Sequence, residues 1–98
     1  MCQSFRLAHP VQLPNGGSIS EIRMRAPNGL DVFEVGGLPT KTRWDPSGMT
    51  VEMDTERFRK WAQRLALGVD MPTLYKIPAR DMRAIYEWLN GELNQAGN

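Results

Sequence analysis

The sequence predicts an α+β domain, strands first and two helices after them. Three observations carry this. Phe5, Leu7, Val11 and Leu13 fall on alternate positions, the spacing of a strand with one buried face. Phe58, Trp61, Ala62, Leu65, Ala66 and Val69 recur at three- and four-residue spacings, which place them on one side of a helix. Met82, Ile85, Tyr86, Leu89 and Leu93 repeat that helical stripe. With 98 residues, 41% of them apolar, the chain suffices for one hydrophobic core and not for two. The expectation is one domain over 1–98, with a β-rich half over 5–53, a helical half over 54–93 and a tail over 94–98 that has nothing to bury.

The elements follow in order. Pro10 has no N–H to give, so the first strand lies at an edge or carries a bulge. Pro14-Asn15-Gly16-Gly17 supplies turn chemistry, read here as a hairpin turn with positive φ at both Asn15 and Gly16. Ile22, Met24 and Ala26 then alternate with Glu21, Arg23 and Arg25 and form the returning strand. Leu30 to Val35 reads as a short helix or an extended turn, stopped by Gly36-Gly37-Leu38-Pro39. Lys41–Asp45 and Met49–Met53 flank Pro46-Ser47-Gly48 and read as a smaller hairpin or a loop, with Trp44, Met49, Val51 and Met53 facing inward. Asp54 or Thr55 caps the first long helix, Gly68 marks its end, and Pro78 opens the second after a connector at 70–77.

Composition and spacing narrow the function classes. Twelve Lys and Arg against eleven Asp and Glu leave a charge of +1, which is no global field for nucleic acid or an anionic membrane. No apolar run approaches the roughly 18 residues of a membrane span, and the N-terminus lacks the layout of a secretory signal, so a cytoplasmic protein is expected. One histidine, His9, and one cysteine, Cys2, far from any partner, make neither a zinc site nor a catalytic dyad. Asp45, Glu52, Asp54 and Glu56 cluster near a turn and a helix start, where capping and solvation account for them. Asn15-Gly16-Gly17 lacks the lysine of a phosphate loop. The expectation is therefore a binding protein and not an enzyme, with no catalytic residue, metal, cofactor or small-molecule substrate.

The segment 63–77 resembles the turn and reading helix of tetracycline-repressor-type regulators, through Leu67-Gly68-Val69 followed by Thr73-Leu74-Tyr75-Lys76. Packing argues against it: Arg64 stands where a small residue is needed, Gln63 where an apolar one is, and Lys76 is the sole cation from Val69 to Ile77. A small DNA-binding regulator is the alternative function. Candidate partner contacts are the basic stripe Arg57, Lys60 and Arg64, together with Tyr75 and with Trp88, which sits off the apolar stripe of its helix.

Taken together, Leu7-x-x-Pro10-Val11, the run Gly17-x-Ile19-x-Glu21-Ile22-x-Met24-Arg25-x-Pro27 with Asp31, and Ile77-Pro78-x-x-Asp81 resemble the small tail assembly chaperones of Mu-type contractile-tailed phages. The likeness extends from Leu7 to Leu89. It implies a chaperone that binds the tape measure protein and helps recruit the tail tube protein, self-association being left open. It also implies production in the bacterial host cytoplasm and loss before the virion matures. The chain departs from the family where Gly36, Gly37 and Pro39 interrupt the helix that usually follows the acidic residue.

Overall fold

In a computed structural model, which describes residues 2–95, the chain folds as α+β: two antiparallel hairpins interleaved with and followed by helices. The order is β1 (Cys2–Gln12), β2 (Ser18–Arg25), α1 (Gly29–Val35), β3 (Thr40–Asp45), β4 (Gly48–Met53), α2 (Thr55–Leu65), α3 (Met71–Leu74) and α4 (Ala79–Gln95). The two hairpins form separate sheets, β1–β2 and β3–β4.

The first hairpin carries the core. Phe5 stands opposite Ile22 and Gln3 opposite Met24, and the register then shifts between Arg6 and Val11. Leu7–Pro10 form a bulge, and Pro10, which cannot donate to the ladder, lies in it on an edge strand. The bulge is held from a distance of 73 residues, because the Ala8 N–H donates to Oδ2 of Asp81 on α4 at 3.0 Å. The hairpin turn differs from the expectation: Gly16 alone has positive φ, at 89°, while Asn15 does not. Its geometry is a turn over Pro14 and Asn15, closed by the Gly16 N–H on the Leu13 carbonyl at 3.1 Å. The Asn15 side chain accepts from Gly17 N–H at 2.9 Å. A longer loop needs only one left-handed residue, and glycine supplies it.

The helices cover one face of this hairpin. Ile22, Met24, Trp61, Leu65, Ile85 and Leu89 are almost wholly buried, and Phe58 meets Tyr86 edge to face at 5.2 Å, joining α2 to α4. Asp54 caps α2 by accepting from Arg57 N–H. The helix ends at Leu65, earlier than the apolar stripe suggests. Beyond it Ala66 bridges to Met24 and Leu67 N–H donates to the Arg23 carbonyl at 2.9 Å, so the chain leaves the helix as a fragment of strand beside β2. Val69 is accordingly half-buried outside the helix. At the other end α4 runs to Gln95, past the expected start of a frayed tail at Asn94; residues 96–98 lie outside the described residues.

The middle third, which the sequence leaves open, resolves into a helix and a hairpin. Asn28 and Asp31 cap α1 reciprocally: the Asn28 side chain accepts from Asp31 N–H and the Asp31 carboxylate accepts from Asn28 N–H. Gly36, at φ 98°, ends the helix in the left-handed conformation. The β3–β4 hairpin is closed at its base by Asp54 N–H on the Pro39 carbonyl, and nearly all of its residues are exposed. It is an arm. The inward placement expected for Trp44, Met49 and Val51 is wrong, for they are 76%, 56% and 59% exposed. The two long helices already cover the core hairpin, leaving no layer for a second one. Dimensions of 50 × 29 × 19 Å and a radius of gyration of 14.6 Å, against about 13 Å for a compact domain of this length, reflect the elongation.

Candidate interaction surface

The charged residues nearest the core are fasteners. Asp31 is fully buried at the start of α1. Arg25 on β2 grips it with two nitrogens, at 2.6 and 2.8 Å, and Arg64 on α2 adds a third contact at 2.5 Å. The Arg25 guanidinium foremost, then Arg64 and the Asn28 N–H, hold the Asp31 carboxyl well below the usual carboxylate range against the opposing effect of burial. Arg64, predicted as a partner contact, is thus engaged within the fold, with a third of its side chain still exposed.

The other predicted contacts are dispersed. Arg57 lies half-buried with its guanidinium beside Gly37, where a β-carbon would come within 3.3 Å of Nη1. Lys60 is exposed and shares with Glu34, Gln63 and Arg64 a shallow depression between α1 and α2. Tyr75 is exposed beside Arg59, whose guanidinium is pushed up by Tyr75 and then by Glu56. Trp88 is half-buried, its ring meeting Phe5 of β1 edge to face at 5.6 Å and its indole N–H donating to Glu92 at 3.1 Å. Trp88 lies off the apolar stripe of its helix yet packs on the core, because the bulged strand β1 passes under that side of α4. Trp88→Ala is therefore expected to cost about 2 kcal/mol, roughly half of a full core truncation. Thermal melting by circular dichroism measures it, and an unchanged melting temperature would contradict this packing.

What the sequence missed is apolar surface. On α1, Leu30 and Phe33 are 60% and 85% exposed and, three residues apart, lie on one face. On the arm, alternation puts Thr40, Thr42 and Trp44 on the same side as Met49, Val51 and Met53, with Trp44 opposite Met49. The other side carries Lys41, Arg43 and Glu52, the last two 3.7 Å apart. One signal was available: the residues of β3 facing with Trp44 are threonines, too small and polar for a core layer.

Two clefts complete the surface. One of about 510 Å3 lies at the base of the arm, between Met53 of β4, Phe58 of α2 and the first turns of α4. Another, of about 480 Å3, lies between the first hairpin turn and the α2–α3 connection, lined by Leu13, Ile19, Val69 and Thr73. Its one carboxylate, Asp70, caps α3 by accepting from Thr73 N–H at 3.1 Å; the Thr73 side chain foremost, and then that N–H, lower its pKa. Among the described residues no three His, Cys, Asp or Glu side chains gather to hold a metal ion, and no helix is long and apolar enough to cross a membrane. Comparison of the chain with protein-family profiles, with curated proteins and with solved structures finds no match.

Proposed function

We propose that this chain is a phage tail assembly chaperone. It binds the tape measure protein in the bacterial host cytoplasm, assists assembly of the tail tube and does not remain in the mature virion. The observation that carries the reading is the arm, a sheet whose Trp44, Met49 and Val51 share one face that no other described residue buries. A small domain leaves such a face open when its work is to be covered by something else. A tape measure chain consists of long amphipathic helices, which aggregate through apolar stripes until another surface shields them.

The residues of the family-like pattern support the reading from a second side. Arg25 and Asp31, six residues apart, pair directly, and Asp81 reaches across 73 residues to the Ala8 backbone within Leu7-x-x-Pro10, so three parts of the pattern take structural roles in this fold. The DNA-binding alternative draws less support: α3 is four residues long, and Thr73 and Leu74 face inward.

The test is co-expression with the tape measure protein of the same tail gene cluster. That protein is expected in the pellet when made alone and in the supernatant, bound to this chain, when the two are made together. A tape measure protein that stays in the pellet overturns the proposal. So does nanomolar, salt-sensitive binding to duplex DNA that Lys76→Ala removes, the behaviour of the alternative.

A further inference from the structure

We propose that the apolar face of the β3–β4 arm and the cleft at its base form one continuous groove, which receives an amphipathic helix flanked by carboxylates. Trp44, Met49 and Val51 project from one face of the arm, and Met53, next on that face, lines the cleft with Phe58, Ala79, Met82, Arg80 and Arg83. The apolar track thus passes from the tip of the arm to α4 without leaving one side of the molecule. From Met49 to Met53 the strand rises about 13 Å, matching about nine residues of helix, and the cleft extends the seat by a further turn or more.

Charge selects the occupant. Arg80 and Arg83 line the cleft; Arg80 has no ion pair among the described residues. Among the described residues Arg83 pairs only with Glu87, at 3.4 Å, with both side chains mostly exposed, a contact that water weakens. The carboxylates near the arm are engaged elsewhere. Glu52 lies on the opposite face with Arg43, Asp54 caps α2, and Asp45 accepts from Ser47 at the tip. A helix with an apolar stripe and acidic flanks satisfies both the track and its cations, whereas one with basic flanks sets like charges against the arginines.

The groove rests on the reading of this chain as a chaperone for helical clients, and the experiment separates the two. Two synthetic peptides of about 18 residues, five helical turns, share one leucine stripe and differ only in flanking Glu or Lys. Binding to the full chain is followed by calorimetry. The Glu peptide is expected to bind at least about tenfold more tightly than the Lys peptide, and more weakly as salt rises. Trp44→Ser should reduce binding of the Glu peptide by about tenfold or more. The double variant Arg80→Glu, Arg83→Glu should invert the preference between peptides. Circular dichroism and melting should stay near wild type in both variants, since these side chains lie outside the core.

Failure of the Glu peptide to bind, equal binding of both peptides, or binding unchanged in Trp44→Ser would each overturn the groove. So would a dimer of the chain alone that Trp44→Ser converts to monomer, because a second copy would then be the occupant. A wild-type chain that keeps the tape measure protein soluble yet ignores the Glu peptide defeats the groove and leaves the chaperone reading standing. A chain that binds the Glu peptide but leaves the tape measure protein in the pellet does the reverse.

Discussion

Asp31→Asn is expected to destabilise the protein by about 3 kcal/mol, a melting temperature lower by about 12 °C or more. The amide keeps the shape of the side chain and an oxygen for the Asn28 N–H, but brings no charge to Arg25 and Arg64. Both arginines keep about a third of their side-chain exposure, so water screens part of the loss and the figure falls at the low end for a broken buried pair. Urea unfolding followed by tryptophan fluorescence measures it. The pH dependence carries the sign of a depressed carboxyl. The folded pKa lies below that of the unfolded chain, so the contribution is complete above about pH 4 and drains away as acid carries the pH towards the folded value. The difference between wild type and variant should thus be widest near neutrality and narrow progressively below pH 4. A gap that stays constant down to pH 2 would show that the charge of Asp31 contributes nothing.

Trp61→Ala should have the larger effect, about 3–5 kcal/mol, enough to leave a domain of this size marginal or unfolded at 37 °C. The ring is fully buried at the centre of α2, and its N–H donates to the Gly37 carbonyl at 2.9 Å, tying the segment between α1 and the arm to the core. Trp61→Phe separates the two contributions. It retains most of the packing and orphans the carbonyl, for an expected cost of about 1–3 kcal/mol. Chemical denaturation of the three proteins orders them wild type, Phe, Ala; a Phe variant as stable as wild type would mean that the Gly37 carbonyl finds water instead.

How much of this was legible in the sequence depends on what each residue had to encode. The first hairpin, both long helices and the Asp54 cap are written in local periodicity and in single side chains and are present in the fold, though α2 stops at Leu65, short of the Gly68 that the spacing set as its end. The arm was legible as a hairpin but not as an arm. Alternation in Trp44, Met49, Val51 and Met53 distinguishes the two faces of a sheet and says nothing of which face is covered. Coverage is settled by other elements, and here α2 and α4 are already packed against the first hairpin, α2 on β2 and α4 on β1. The internal contacts of the basic stripe were hidden for a related reason. Helical spacing places Arg57, Lys60 and Arg64 on one side, yet only the tertiary fold brings Asp31 beneath Arg64 and Gly37 beneath Arg57. Trp88 required knowing that a bulge directs β1 beneath α4.

The hydrogen bond from the Ala8 N–H to Asp81 joins nearly opposite ends of the chain. Its consequence lies in the order of folding. The bulge between Arg6 and Val11 is held by a carboxylate 73 residues away, so its final geometry is expected to form only once α4 has docked. Closing so long a loop costs entropy before the contact repays it, which favours formation late in folding. An interaction formed after the transition state influences mainly how fast the folded protein opens, and hardly how fast it forms. Asp81 and the bulge it fastens are therefore expected to act as a latch on the lifetime of the native state: Asp81→Ala should speed unfolding, measured by stopped-flow fluorescence, more than it slows folding.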